Sequence, residues 1–557
     1  MAPCLLLVAA AAAGSSAPPP SPPMNFIFYQ PDEMRAESLG CYGHPTSKTP
    51  AFDAFAKQGT RFEQAHVSYT VCTQSRVSFM TGWPTHVRGH RSLWSLLHDN
   101  EPNLLKYLKG AGYTVKWWGK NDLLAHDAWN SSVTSARQSG GGNVGPNAFK
   151  MGEPGYYSFL SQPFAGRANE TSDAQNVAAA IDFLTAAPPP EPFMIFLPLT
   201  LPHPPYSAPE PFYSSIDPST LPPLRAAGAP RKPNYHALIR QHRNLTSLGE
   251  PFWRKLHATY LGAISYSDFL FGLLTAALEA ASNRLAQRTS VFVFADHGDY
   301  AGDYGLVEKW SSGLEDVLTR VPLLARVPGG AAAHVVSEPV QLFDIVPTVL
   351  ELANIASTHI HFGKSLVEQI VRGRKGERDA VFSEGGFSNT TDWRDLEGSS
   401  VHGGLGPKEG IYYPKLAQEQ EQPLSTCRAA SVRTLSHKLV LRSDPSVDAS
   451  TDLGNELYDL AADPREETNV YGEPAYAAAQ AELEKRLLRW YLETADVTPW
   501  AIDPRDGGYP WPPKRGGQEM HVPLGVDGPL GSTGLSADEA IGDAASRLKL
   551  GEDEAYV

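Results

Sequence analysis

The 557-residue chain predicts an α/β fold: a large mixed, mostly parallel sheet sandwiched by helices, with a smaller C-terminal α+β subdomain. Three observations predict it. Short apolar runs alternate with long helical stretches, the pattern of a parallel sheet covered on both faces. Four of these runs release charged residues or histidine just beyond their C-terminal ends. From about Arg372 the texture changes to loops rich in Gly, Ser and charge, interrupted by short strand-like pieces.

The elements follow in order. Asn25 to Tyr29 (NFIFY) reads as the first strand and leads to Asp32 and Glu33. Thr49 and Pro50 supply an N-cap and a first-turn proline for a helix through Phe52 and Phe55. Tyr113 to Trp118 is a second strand, ending in Gly119 and Lys120. Phe193 to Leu199 is a third, ending near His203, and Ser290 to Ala295 a fourth, ending in Asp296 and His297. Helical stretches over Ser172 to Ala186 and His257 to Ala281 lie between them. His437 to Arg442 is strand-like, and a helix from about Ala475 to Leu492 closes the C-terminal region. These readings divide the chain into residues 1–17, a leader; 18–23, a proline-rich spacer; 24–371, the main domain; 372–502, the C-terminal subdomain; and 503–557, an extended tail rich in Gly, Pro and Asp. In open α/β sheets ligands bind at the C-terminal edge of the strands. One charged strand end says little, but four describe a charged rim.

Composition narrows the function. The formal charge of -14 and pI near 5.7 leave no bulk attraction for nucleic acid, so an anionic ligand needs a local cationic pocket. The leader, with apolar Cys4 to Ala13, small residues and then prolines, reads as a signal peptide cleaved near Ala17. It is too short to span a bilayer. No later stretch comes near the roughly 20 apolar residues that a span requires, so no transmembrane anchor is expected. Sequons at Asn130, Asn169, Asn244 and Asn389 agree with a secretory route to an extracellular or lysosome-like lumen. Beyond Cys4 the only cysteines are Cys41, Cys72 and Cys427, so this is no disulfide scaffold; whether Cys41 and Cys427 pair or stay free is open.

The segment Val71 to Gly82 reads VCTQSRVSFMTG. A cysteine just before a helix start, with Arg76 one turn on, is a place where an anion is favoured and a thiol pKa is lowered; the plain alternative is a buried structural cysteine. The segment resembles the sulfatase signature, C-x-P-S-R followed by T-G, matching at Cys72, Ser75, Arg76, Thr81 and Gly82, with Gln74 where the family has Pro or Ala. Asp32 to Gly43 resembles the first metal segment of the family and Ala295 to Lys309 the second. Leu342 to Ile355 and Glu456 to Val470 resemble later family blocks. The resemblance implies an alkaline-phosphatase-like fold and a sulfuric ester hydrolase. It also implies oxidation of Cys72 to formylglycine (3-oxoalanine) by a formylglycine-generating enzyme.

What it implies residue by residue agrees with charge. Asp32, Glu33, Asp296 and His297, with Cys72, form the metal site; carboxylates packed together repel, so a cation is expected, and oxygen-rich ligation points to a hard ion, calcium first. Arg76, Lys120 and Lys309 offset charge on the transferring sulfate oxygens, and His203 donates a proton to the leaving alcohol. In the implied reaction the hydrated aldehyde attacks sulfur, and its second hydroxyl later expels sulfate. The family has histidine where this chain has Asp122, so Asp122 is the catalytic candidate there, with His90 or His126 as substitutes. The substrate is a sulfated small molecule or glycan. Two other readings stand beside this one: a phosphodiesterase or phosphonate monoester hydrolase of the same superfamily, and a non-catalytic binder of sulfated glycans. Finally, Arg225 to Lys255 is locally basic and reads either as a grip on a sulfated polymer or as a solvated basic face.

Overall fold

The computed structural model describes residues 24–139, 142–186, 189–387, 407–448 and 450–497. The leader, the spacer, the tail from 503 onward and Asn389 lie outside these. Residues through Asp496 form one compact unit.

Eight strands make the main sheet: β1 (Asn25–Asp32), β2 (Thr60–Phe62), β3 (Thr114–Gly119), β4 (Ser135–Gln138), β5 (Phe193–Pro202), β6 (Thr289–Phe294), β7 (Leu323–Arg326) and β8 (His334–Val336), in the order β8-β2-β7-β6-β1-β5-β3-β4. Only β7 runs antiparallel to its neighbours. β6, β1, β5 and β3 are consecutive and parallel, with Phe28 paired to Phe292 on one side and Phe196 on the other. These are the four strands expected from the apolar runs, and they lie side by side. β1 and β6 are buried along their whole length, as expected of strands covered on both faces.

The covering helices include α1 (Pro50–Gln58), α2 (Cys72–Thr81), α3 (Ser172–Thr185) and α4 (Glu250–Ala280). By length and composition α4 alone among the described helices is long and apolar enough to cross a membrane. This corrects the expectation that no later stretch comes near that threshold. Its apolar face, including Leu256, Ile264, Phe271 and Leu278, is buried in the main hydrophobic core against β5, α1 and α3, which is the demand a core helix meets.

A smaller antiparallel sheet follows: β9 (Ala380–Gly385), β10 (Arg428–Thr434), β11 (His437–Ser443) and β12 (Glu456–Asp459), covered by α5 (Ala477–Glu493) through Leu483, Leu487 and Trp490. Glu384, at the end of β9, ties this part to the loop after α2. It accepts from the His86 backbone N–H (2.9 Å) and pairs with His86 Nδ1 (3.1 Å) and Arg91 (2.5 Å). His86 Nε2 in turn meets the Thr494 carbonyl just past α5 (3.0 Å). Burial alone raises the Glu384 pKa, but Arg91 and His86 outweigh it and hold it near 2 against an ordinary 4.5. A depressed carboxylate contributes stability above its unfolded pKa and loses it as pH falls through the folded one. We therefore expect roughly 3 kcal/mol from Glu384 to be present at pH 5 and lost between about pH 4.5 and 2. Denaturant titrations of Glu384→Gln should show reduced stability at pH 7 and a shallower acid limb than the wild type.

Candidate active site

β1 ends at Asp32, where its register with β5 shifts after Gln30. Glu33 follows with φ of 69°, a left-handed conformation costly for a residue with a side chain. The bend lets consecutive carboxylates serve different partners. Asp32 Oδ2 accepts from Arg76 Nη2 (2.9 Å) and Lys120 Nζ (2.9 Å), while Glu33 Oε2 faces Lys309 Nζ (3.3 Å) and His203 Nε2 (3.5 Å). From the end of β6, Asp296 Oδ2 accepts from Arg76 Nε (2.8 Å), and its Oδ1 accepts from the Glu33 N–H (3.1 Å). Lys120 comes from β3 and His203 from β5, so the four adjacent strand ends supply the rim.

Cys72 is the first residue of α2, whose ten residues are all buried. Its Sγ lies 3.3 Å from His297 Nε2, 3.6 Å from Asp32 Oδ1 and 3.7 Å from Lys120 Nζ. Ser75 Oγ donates to the Asp296 carbonyl, which fastens the first turn of α2 to the end of β6. The thiol is not activated in the way its sequence setting suggests. Burial, reinforced by Asp32, pushes its pKa well up, because Arg76 spends its charge on Asp32 and Asp296 instead.

The histidines have defined roles. His297 donates from Nδ1 to the Gly298 carbonyl (2.9 Å), which leaves the Nε2 lone pair directed at Cys72 and Asp32. His203 Nδ1 donates to the Pro204 carbonyl, and its Nε2 accepts from Lys309 Nζ (2.9 Å). Burial first, then Lys309 and Lys120, hold the His203 pKa well below its ordinary range.

The residues fit a divalent cation. Ligand atoms of Asp32, Cys72, Asp296 and His297 all lie within 4.8 Å of one another, as do those of Asp32, Glu33 and His203. Oxygen ligands at 2.3–2.6 Å from a central calcium span about that separation. Glu33 Oε1 is buried without a hydrogen-bond partner among the described residues, and burial pushes the Glu33 carboxyl well above its usual range. A nearby dication would ionise it. Four carboxylates, Asp32, Glu33, Asp296 and Asp122, face the three cations Arg76, Lys120 and Lys309, so an added dication turns the balance positive for an incoming anion.

A sequence model of the family described as Sulfatase matches residues 24–355, more than half of the chain. The chain belongs to the sulfatase family. This sulfatase, a sulfuric ester hydrolase of the alkaline phosphatase superfamily, is 23% identical over 522 residues to a multifunctional alkaline phosphatase superfamily protein of Trinickia caryophylli, covering 84% of this chain and 93% of that one. It is 24% identical to an arylsulfatase of Clostridium perfringens over 66% of this chain and 82% of the relative. Two solved structures share its fold. A phosphonate monoester hydrolase of Agrobacterium radiobacter has a TM-score of 0.67 at 23% identity, over 85% of this chain and 96% of that one. A protein in complex with its substrate D-glucosamine-2-N,6-O-disulfate has a TM-score of 0.63 at 18% identity, over 85% of this chain and 98% of that one.

Some expectations for this sulfatase need correction. Asp122 Oδ2 sits 2.9 Å from Lys120 Nζ and 4.0 Å from Arg76, on the Lys120 side of the site. Neither proposed substitute histidine joins the site. His90 is held by Glu101 and the Ser95 carbonyl, and His126 is exposed at the start of a short 3-10 helix. The imidazole beside the thiol is His297. Much of the basic stretch from Arg225 to Lys255 is neutralised within the fold, with Arg231 left half-exposed beside Glu473. Arg225 is buried on Glu37 and Asp303, Lys232 between Glu315 and Glu456, and Arg243 on Glu308, and Arg254 pairs with Glu250. Glu308 was not singled out from sequence. It is buried, left-handed at φ of 63°, and its Oε1 lies 3.4 Å from Lys309 Nζ. A glutamate preceding a lysine carries no local signal of that role. Cys41 and Cys427 are both free.

Proposed function

We propose that the protein hydrolyses the sulfate ester of a small molecule or glycan through a formylglycine derived from Cys72, with a divalent ion, calcium by its donor set, held by Asp32, Glu33, Asp296 and His297. The observation that carries this reading is the convergence of three carboxylates, His297, Arg76 and Lys120 on residue 72, with Sγ 3.3 Å from His297 Nε2. A hydrated aldehyde there supplies two oxygens on one carbon, where a thiol supplies one heteroatom. The bound ion supplies Lewis-acid polarisation of oxygen.

The chain's own residues do the rest. Arg76, clamped by Asp296 and Asp32, orients both carboxylates and, with Lys120, keeps Asp32 ionised. Lys120, steadied by Asp122, places an ammonium beside residue 72 for the transferring sulfate oxygens. Lys309 and His203 share a hydrogen bond, and this pair holds the proton destined for the departing alcohol. Because Cys72, Gln74 and Arg76 are at most 2% exposed, a protein-sized maturation enzyme must reach Cys72 before the chain folds. Gln74 then donates from Nε2 to the Arg91 carbonyl (2.9 Å) and pins the following loop over α2. Exposure of Asn130, Asn169 and Asn244 suits glycosylation in a secretory lumen, with residues 24–371 and 372–502 as the catalytic and C-terminal parts.

The test is a comparison of kcat/KM on 4-nitrophenyl sulfate, a phosphate diester and a phosphonate monoester, together with mass analysis of the peptide containing residue 72. We expect the sulfate ester to be preferred and an aldehyde in place of the thiol. A preference for the phosphonate or phosphate ester would assign the rival hydrolase activity, and an unmodified thiol with no turnover would assign a binding protein.

A further inference from the structure

Asp173 lies outside every motif noted in the sequence, yet the fold joins it to the strand end that carries His203. β5 has two more residues than β1 between their last pairings: Gln30 faces Pro198, but Asp32 faces Pro202. A bulge of this kind takes backbone donors out of the ladder, and buried donors need another acceptor. The N–H groups of Thr200 and Leu201 lie in the bulge, and both go to Asp173. Thr200 donates to Oδ1 and Oδ2 (3.0 and 3.1 Å), and Leu201 donates to Oδ2 (2.9 Å). The Thr200 carbonyl then accepts from the His203 N–H (3.0 Å), which closes the turn that presents the imidazole. At its tip His203 Nε2 accepts from Lys309 Nζ (2.9 Å) and lies 3.5 Å from Glu33 Oε2.

Asp173 is itself fixed. It sits in the first turn of α3, where a carboxylate suits the helix dipole, behind the N-cap Thr171, whose side chain accepts from the Ala174 N–H (3.1 Å). Asn143 Oδ1 accepts from the Asp173 N–H (3.2 Å) and from Ser172 Oγ (3.0 Å). The carboxyl group is buried, and burial pushes its pKa up to about 6 against an ordinary 3.8. The other strong influences on it are the N–H groups of Leu201 and Thr200, Asn143 and the like charge of Asp32; no cation is among them. A carboxylate buried without a cation costs the core more than an apolar residue would. What it offers in return is two oxygens, turned to the two N–H groups just before His203.

We propose that Asp173 is a positioning residue: it holds the bulge of β5 so that His203 meets Lys309 and, with it, the oxygen of the departing alcohol. This rests on the reading above in which His203 and Lys309 hold the leaving-group proton. Asp173→Asn keeps the shape but sets an amide NH2 against one of the two donors. The experiment measures kcat/KM on 4-nitrophenyl sulfate, whose leaving group departs well without a proton, and on phenyl sulfate, whose leaving group needs one. A displaced proton donor harms only the second, so the ratio of the first to the second should rise about 10-fold in Asp173→Asn. His203→Ala should raise the ratio too, and adding Asp173→Asn to it should raise the ratio no further, because the two residues act as one unit. Asp173→Glu keeps both oxygens but displaces them by one methylene; it should also raise the ratio, and it carries the test if Asp173→Asn does not fold. A purely structural role would lower both rates by one factor. An unchanged ratio in a folded Asp173 variant, or the same increment with and without His203, overturns the role of Asp173. An unchanged ratio in His203→Ala overturns instead the leaving-group reading of His203, and the proposal falls with it. A wild type that hydrolyses neither ester sinks the underlying sulfatase reading and the proposal too.

Discussion

Replacing Cys72 by alanine should lower kcat on any sulfate ester by at least about 10³-fold while the fold survives. The expectation is large because residue 72 is where the cations, carboxylates and His297 converge, and no other side chain at this point offers a route to a covalent intermediate. It is specific because the structural cost is small. Removing one buried sulfur leaves a cavity of about one atom, worth on the order of 1 kcal/mol. Far-ultraviolet circular dichroism and Tm should therefore stay close to wild type while steady-state turnover disappears. Activity within tenfold of wild type, on protein shown to be folded, would remove residue 72 from the chemistry.

A second large effect is expected at Asp32, where structure and chemistry are coupled. Its carboxylate holds Arg76 and Lys120 and lies 3.7 Å from His297 Nε2. Burial raises its pKa, but Lys120 and Arg76 outweigh that and hold it well below the carboxylate range. Asp32→Asn keeps the shape and removes the charge. Two cations then lose a shared partner in a buried site, a loss of about 2 kcal/mol, with Arg76 still on Asp296 and Lys120 still on Asp122. The substitution also removes a proposed metal ligand, so turnover should fall by at least about 10³-fold. Thermal unfolding with added calcium and with EDTA separates the two contributions. The wild type should gain Tm with calcium, because the ion binds only the native state, and the variant should start lower and gain little. An equal calcium response in both proteins would show that Asp32 does not hold the ion.

Much of the site is legible along the chain because its parts sit at strand ends. An apolar run that stops at a carboxylate, lysine or histidine is a local pattern, and four of these strands are present within a few residues of their expected limits. Asp32, Lys120, His203 and Asp296 were all found this way, and Cys72 with Arg76 by its place at the start of a helix. The misreadings share one cause. Arg76 was expected to lower the thiol pKa, but its charge is committed to carboxylates 44 residues before it and 220 after it. The run from Arg225 to Lys255 looks like a basic surface only while its partners, such as Glu37 and Glu308, are unseen. Asp122 pairs with Lys120, and nothing in the spacing of two residues foretells that pairing.

What the amino-acid order determined alone is therefore the class of fold, the inventory of charged groups at strand ends, the family motif around Cys72 and the acidic balance that rules out bulk attraction to nucleic acid. Tertiary structure alone decided which charges neutralise each other, which histidine stands next to the thiol, and that Glu308 stands beside Lys309. The physical reason is that alternation and periodicity depend on neighbours a few residues apart. A pKa or an ion pair depends instead on distances between residues hundreds of positions apart, and those are set by strand order and by which element covers which.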